Sequence, residues 1–317
     1  MFQLLQPILG NSKAMARVLD LATRFARSRH PILILGQPGT GKTHLARHIH
    51  VESRRTGEFV PESAANIPEH LEQSHLSGHV RGAFTGAHED RMGLVESAHL
   101  GTFFLDELGV ASHRVQELLL QLLDVGTIRR VGEVRRRPVS VRFIAATNAD
   151  LEQMIAERRF RRDLRDRFGY LTLEIPPLAE RRDEILPLTD HFLHQELALL
   201  GQDERPVLSE EVRDCLMAAP WSGNIRELES VCRYAITHRE GGGPITSDNL
   251  PAVFLATLGE VVTTRVSRRG PDRVQMAIAA ANGNKSRAAK MLGMSRQQLY
   301  RVLETSAAVC SAQVGGL

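Results

Sequence analysis

No run of apolar residues in this sequence approaches the ~20 needed to cross a bilayer. Residues 1–10 lack a basic start followed by a long apolar stretch, so no export signal is read and no membrane partner is expected. Cysteine is scarce: Cys215, Cys232 and Cys310 are far apart, odd in number and never arranged as CxxC. That excludes a disulfide framework and a cysteine-rich zinc site, and it suits a reducing cytoplasm. A strong charge of one sign is missing too. The 40 basic and 37 acidic residues leave +3, which permits nucleic-acid binding without demanding it. Thirteen histidines are present, but no HExxH accompanies them. His44, His48 and His50 stand at helical spacing and read as solvated positions on a helix face. No internal repeat is visible.

What is present is an ordinary soluble composition, 42% hydrophobic and 24% charged, in a chain long enough for two or three compact units. Short continuous apolar runs occur at Ile32–Leu35 and at residues 102–105, 139–146 and 170–175. Helical patterns separate them, with 115–123 as one connecting helix. Such runs predict an α/β fold with a parallel sheet buried on both faces. From residue 178 to about 240 the pattern turns helical, predicting a small α-helical second lobe. Gly241-Gly242-Gly243-Pro244 breaks it. Residues 241–270 read as a linker, 271–305 as a compact helical module and 306–317 as a tail.

Gly36-Gln37-Pro38-Gly39-Thr40-Gly41-Lys42-Thr43 follows the first predicted strand and opens a helix. The pattern G-x-x-x-x-G-K-[ST] in that setting is a phosphate loop. Glycines let the backbone N–H groups approach phosphate oxygens, and the helix N-terminus adds partial positive charge. Lys42 suits the β- and γ-phosphates, and Thr43 suits Mg²⁺. The second run ends in Asp106 and Glu107. Asp106 suits Mg²⁺ held through water, and Glu107 suits a base that polarises the attacking water. The third ends in Thr147-Asn148. Asn148 is either a reader of the γ-phosphate and attacking water or a plain turn residue.

Near the C-terminus Val274, Ala277, Ile278 and Ala281 follow helical spacing. Residues 285–292 suit a second helix, Gly293-Met294 a turn, and Ser295 the N-cap of a third helix. Two helices around a glycine-containing turn form a helix-turn-helix. Lys285 and Arg287, with Lys290, suit phosphate contacts. Ser295, Arg296, Gln297, Gln298 and Arg301 lie on the candidate reading helix, where Arg and Gln can read base edges. The residues alone equally allow a polar hairpin packed on the main body.

Gly82-Ala83-Phe84-Thr85-Gly86-Ala87 places an apolar Phe84 among small residues. That is either a mobile contact loop or a buried turn. GAFTGA is the signature of the sigma-54-dependent activators, the bacterial enhancer-binding proteins, and the chain resembles them over nearly its whole length. The ordered matches include Leu76-Ser77-Gly78, Gly101-Thr102-Phe103-Phe104-Leu105-Asp106-Glu107-Leu108, Ala145-Ala146-Thr147-Asn148, Phe160-Arg161-Arg162-Asp163-Leu164-Arg165-Asp166-Arg167 and Trp221-Ser222-Gly223-Asn224-Ile225-Arg226-Glu227-Leu228. The resemblance implies an AAA+ P-loop ATPase with an α-helical lid and a C-terminal Fis-type helix-turn-helix. It further implies Mg²⁺–ATP held between subunits of an oligomer, usually a hexamer. Arg161 and Arg167 then match arginine fingers acting on a neighbour's ATP, worth roughly 10³–10⁵ in rate in related NTPases. Arg226 matches the arginine that reaches the nucleotide from the lid. Phe84 and Thr85 match the residues that engage sigma-54, and the loop around residues 129–134 resembles its supporting loop. Arg162 and Arg165 read as surface charges.

Implied partners are sigma-54 RNA polymerase holoenzyme and enhancer DNA. The function implied is ATP-driven conversion of the closed promoter complex to the open one. Because the ATPase motifs begin almost at residue 1, regulation is expected in trans, by a partner protein or by expression. The ring is homo-oligomeric or shared with a paralogue. Three positions depart from the family. Ser63 stands where an Asn usually restrains the catalytic glutamate, Ser77 replaces a usual Phe, and Ser222 replaces the Pro of WPGN. Ser63 predicts either altered coupling or restraint through a water. Two rivals remain, another AAA+ remodeller and a DNA binder that uses ATP only as a ligand.

Overall fold

A computed structural model of the chain describes residues 12–202, 204, 206–239, 241–258 and 284–285. The described chain starts with helix α1 (Lys13–Ala26), whose N-cap Ser12 accepts a hydrogen bond from the Met15 N–H. Strand β1 (Ile32–Leu35), helix α2 (Lys42–Glu52) and strand β2 (Phe59–Ser63) follow. Next come α3 (Glu72–Ser77), β3 (Gly78–His79), β4 (Arg91–Met92), α4 (Leu94–Ser97), β5 (Thr102–Asp106) and α5 (His113–Val125). A hairpin of β6 (Thr127–Ile128) and β7 (Arg137–Pro138) leads to β8 (Arg142–Thr147), α6 (Leu151–Ala156), α7 (Arg162–Phe168) and β9 (Thr172–Glu174). Helices α8 (Ile185–Leu199), α9 (Glu210–Ala218), α10 (Asn224–Thr237) and α11 (Ala252–Thr257) complete the described part.

The main sheet has the order β2-β5-β8-β1-β9, and every neighbouring pair is parallel. Alternate residues of each strand serve opposite faces. Ile32, Ile34, Phe104, Ile144 and Ala146 pack beneath α1 and α2. Leu33, Phe103, Leu105 and Ala145 pack with residues of α5, α6 and α7 on the other face. Burying a Leu, Ile or Phe side chain contributes about 1.5–3 kcal/mol. A sheet buried on both faces therefore explains the continuous apolar runs.

Strand β2 was not legible from its residues because Pro61 and Glu62 interrupt the apolar signal. It lies at the sheet edge, bonded only to β5, where a missing proline N–H breaks no ladder. The run at 139–146 becomes strand only from Arg142 onward. Val139 instead donates its N–H to Gly126, and Ser140 accepts at its carbonyl from the Leu100 N–H.

Two expectations need correction. His44 is exposed as expected, whereas His48 and His50 are half-buried rather than free on a solvated face. The Nε2 atom of His48 is buried with no hydrogen-bond partner among the described residues. His50 bonds Thr102 Oγ1 at 2.8 Å. Burial lowers the His50 pKa, with Arg55 and Arg47 adding to the effect. Second, the described part of the linker is folded. Ile245 bridges Leu208, and α11 buries Phe254. The chain divides into two compact units, the first holding residues 12–192 and 221–230. The second buries Leu197, Val212, Leu216, Cys232, Ile236 and Phe254 in its own core. Among the described residues no helix is long and apolar enough to cross a membrane.

Candidate nucleotide site and contact loop

The phosphate loop joins the end of β1 to α2. Gly41 takes φ +101°, and α2 starts without a side-chain cap. The first N–H groups of the helix therefore remain for an anion. Lys42 Nζ donates to the carbonyls of Gly36 at 3.0 Å and Gln37 at 3.1 Å. It is held inside the loop rather than waving in solvent. Burial lowers its pKa, Asp106 opposes that shift, Arg226 reinforces it and Glu107 opposes it.

Sheet order puts β8 between β5 and β1. The C-terminal ends of these strands thus line up the phosphate loop, Asn148, Asp106 and Glu107, the position where open α/β sheets bind ligands. Thr43 Oγ1 lies 3.5 Å from Asp106 Oδ2. A hydroxyl and a carboxylate facing each other beside the phosphate loop fit a hard cation with oxygen ligands, and Mg²⁺ bound there would neutralise phosphate charge. Asn148 is exposed at the end of β8, while Thr147 is buried and accepts from the Ala149 N–H.

Glu107 sits in the left-handed region at φ 55°. Such a conformation is sparsely populated for residues other than glycine and recurs at functional sites. It lets Ser63 Oγ donate to Glu107 Oε2 at 2.6 Å, while Ser63 Oγ accepts from the Ala65 N–H. The register explains the reach, since Ser63 pairs with Asp106 across β2 and β5. The serine contacts the glutamate directly, so no bridging water is required.

The Trp221–Leu228 motif closes over the phosphate loop. Asn224 is fully buried. Its Oδ1 accepts from the Leu178 N–H at 2.8 Å, and its Nδ2 donates to Gln37 Oε1 and the Pro38 carbonyl, both at 3.1 Å. The Ile225 N–H donates to the Gly39 carbonyl at 2.9 Å. A Cβ on Gly39 would stand 2.3 Å from the Gly223 carbonyl oxygen and 3.1 Å from Arg226 Cβ, so Arg226 flanks the loop. On another side the buried Arg181 donates to the Thr40 carbonyl at 2.9 Å and to Glu184 at 3.0 Å, and Glu184 accepts from Ser12. Sequence reading gave no role to Asn224, Arg181 or Glu184. The Gly-Asn pair that starts α10 was the available signal for Asn224.

Arg161 and Arg167 are not brought to the phosphate loop of their own chain. Arg161 forms a two-pronged pair with Asp163 at 3.0 and 2.7 Å, and Arg167 pairs with Asp124 at 2.7 Å. Arg165 pairs with Glu152 at 2.8 Å, as befits a surface charge.

The Gly82–Ala87 loop rises from the β3–β4 hairpin. It is closed by the Gly82 N–H donating to the Ala87 carbonyl at 2.8 Å. Phe84 is exposed, its ring edge-on to His79 with centroids 5.0 Å apart, and only Ala87 of the six is buried. The loop is therefore exposed rather than a buried turn. Ser77 is buried behind it. Of the DNA-contact candidates, Arg287, Ser295, Arg296, Gln297, Gln298 and Arg301 lie outside the described residues, and Lys285 is described alone.

Comparison with known proteins agrees with this geometry. Residues 8–174 match the Sigma-54 interaction domain, 179–264 the AAA+ ATPase lid domain and 272–304 the Fis family of bacterial regulatory proteins. The regulatory protein AtoC of Escherichia coli K12 is 38% identical over 312 residues, covering 94% of this chain and 67% of AtoC. The Psp operon transcriptional activator of the same organism is 33% identical over 315 residues, covering 94% of this chain and 97% of its own length. Against two other relatives the chain spans 62% and 55% of their length. The solved structure of NtrX from Brucella abortus in complex with ATP superposes with a TM-score of 0.71 at 31% identity, covering 95% of this chain and 69% of NtrX. A phosphate loop at the strand ends, an exposed GAFTGA loop and these matches lead to one conclusion: the chain belongs to the sigma-54-dependent transcriptional activators, with an AAA+ ATPase fold and a Fis-type helix-turn-helix.

Proposed function

We propose that this protein binds enhancer DNA through residues 271–305 and hydrolyses Mg²⁺–ATP to convert the closed sigma-54 polymerase promoter complex into the open one. The observation that carries this reading is the coexistence of a hydrolytic set with an exposed Phe84–Thr85 loop in one compact unit. Lys42 and the loop N–H groups hold the phosphates. Thr43 and Asp106 hold Mg²⁺. Glu107 takes a proton from the attacking water once Ser63 releases it. Asn148 and Arg226 read the γ-phosphate. Arg161 and Arg167 act on the ATP of a neighbouring subunit, exchanging Asp163 and Asp124 for phosphate oxygens. The reading takes the assembly to be a ring, a hexamer by family likeness, working in the cytoplasm. Loss of the γ-phosphate changes all these contacts at once, which gives the differential interaction that moves the Gly82–Ala87 loop. In domain terms, 1–177 form the α/β body, and 178–240 together with the folded stretch 241–258 form the lid. Purified protein with ATP is expected to open a sigma-54 promoter and leave sigma-70 holoenzyme unaffected. Opening of both, or of neither while ATP is hydrolysed, would contradict the reading.

A further inference from the structure

Five arginines lie within nine residues of the β6–β7 hairpin: Arg129, Arg130, Arg135, Arg136 and Arg137. Two are committed. Arg130 pairs with Glu96 at 2.9 Å, and Arg137 pairs with Glu133 at 3.0 Å and Glu96 at 3.5 Å. Arg129, Arg135 and Arg136 are exposed and make no ion pair with a described residue. The hairpin register ends with Ile128 paired to Arg137, and Arg129 and Arg136 are the next residue on each arm. Both also line one cleft of about 350 Å³, together with Gln73, Ser77, Gln121 and Thr127. The rest of the lining is apolar, from Leu118, Leu122, Val125 and Ile128, so the two guanidinium groups and these neutral polar side chains are what the cleft offers an anion.

The hairpin is tied to the base of the contact loop. The Val80 N–H donates to the Val131 carbonyl, and the Val131 N–H donates to Gly78. Gly132 packs so closely that a Cβ would come within 2.8 Å of Ala83 Cβ. Whatever lies beside the bound loop therefore lies beside these cations. Val134, at the hairpin tip, is 92% exposed, a single apolar side chain among charges. Val125 in the cleft is the other exposed apolar side chain of this stretch, and two valines among exposed arginines suit the backbone of duplex DNA better than the apolar core of a protein interface.

We propose that Arg129 and Arg136 clamp a backbone phosphate of promoter DNA next to the sigma-54 contact loop, with Arg135 supplying a further contact. This rests on the sigma-54 reading above. The test is full-length protein with ADP–aluminium fluoride, titrated onto sigma-54 alone and onto sigma-54 on a promoter fragment without enhancer, across a salt series. Parent, R129Q/R136Q and R129K/R136K are compared, so any helix-turn-helix contribution cancels. With promoter DNA, the R129Q/R136Q variant should show a log–log salt slope shallower by about 1, near 0.9 for the one lost phosphate contact. Lysine should restore most of that slope. Binding to sigma-54 alone should not distinguish the three proteins. Equal slopes for parent and R129Q/R136Q overturn the clamp, and a loss that appears equally on sigma-54 alone assigns the arginines to an acidic protein surface instead. Release of the parent from promoter DNA by millimolar inorganic phosphate at constant ionic strength would overturn it too, marking a free-anion site. A parent that fails to bind sigma-54 in any arm overturns the functional reading itself.

Discussion

The phosphate loop and the Gly82–Ala87 loop both use glycines at positive φ, yet for different reasons. At Gly39 the φ is +76° and a side chain would collide with the Gly223 carbonyl oxygen at 2.3 Å. At Gly82 and Gly86 the φ values are +79° and +101°, and a Cβ would meet nothing within 4 Å. One loop is clamped by Asn224, Ile225 and Arg181 from separate segments. The other rises above a two-residue ladder and packs through Ala83 and Phe84 at its base, with open space around Gly82 and Gly86. In the first, glycine makes room for neighbours and phosphate. In the second, it permits a turn whose surroundings are left for a partner. Fixed geometry suits chemistry on a small ligand, and a loosely held loop suits a part that must move.

Gly39→Ala tests this contrast with the largest expected effect. Backbone strain and collision together should cost more than about 3 kcal/mol and abolish nucleotide binding. Gly86→Ala should cost about 1 kcal/mol, the left-handed penalty alone. Equal losses in urea unfolding would break the comparison. Asn224→Ala comes next. It strands the buried Leu178 N–H and removes two contacts to the phosphate loop, for about 1–3 kcal/mol of stability with weaker ATP binding by calorimetry. If ATP affinity is unchanged, the clamp is not part of the nucleotide site.

Ser63→Ala tests the proposed catalytic role of the Glu107 carboxylate. The 2.6 Å bond from the Ser63 hydroxyl holds the Glu107 carboxylate and occupies an oxygen that would otherwise face the attacking water. Its removal should raise basal hydrolysis about tenfold, as expected for losing one hydrogen bond to a charged group, with ATP affinity unchanged. A lower basal rate would mean that Ser63 positions Glu107 for catalysis rather than restraining it. The smallest effect concerns His50. Its pKa is depressed below the ordinary 6.5 by burial first, then by Arg55 and Arg47. Below about pH 6.5 the unfolded chain takes up the proton before the folded one, so stability falls as pH falls through that range. His50→Gln should flatten the slope of unfolding free energy against pH in that window.

Much of this was readable from residues because their chemistry is local. Ile32–Leu35 followed by a glycine-rich loop fixes a strand, a turn and a helix start within twelve residues. The strand ending in Asp106 and Glu107 carries its own signal. What escaped was decided by distant partners. Pro61 is compatible with an edge strand, but the apolar signal around it is too weak to mark β2 as a strand at all. Nothing near Asn224 says that its amide reaches Gln37, 187 residues away. His50 lies on a helix whose spacing allows solvent, and only the neighbouring Thr102 on β5 shows otherwise. The stretch after Gly241 reads as a breaker, yet its Ile245 finds a partner in Leu208, on the other side of two helices.

The measurement that tests the central claim most directly is promoter opening by the Thr85→Ala variant beside the parent, with ATP hydrolysis followed in the same samples. The account predicts that the parent opens a sigma-54 promoter in an ATP-dependent way and that Thr85→Ala does not, because the exposed loop carries the contact to sigma-54. Undiminished opening by Thr85→Ala would contradict it and move the contact elsewhere on the molecule.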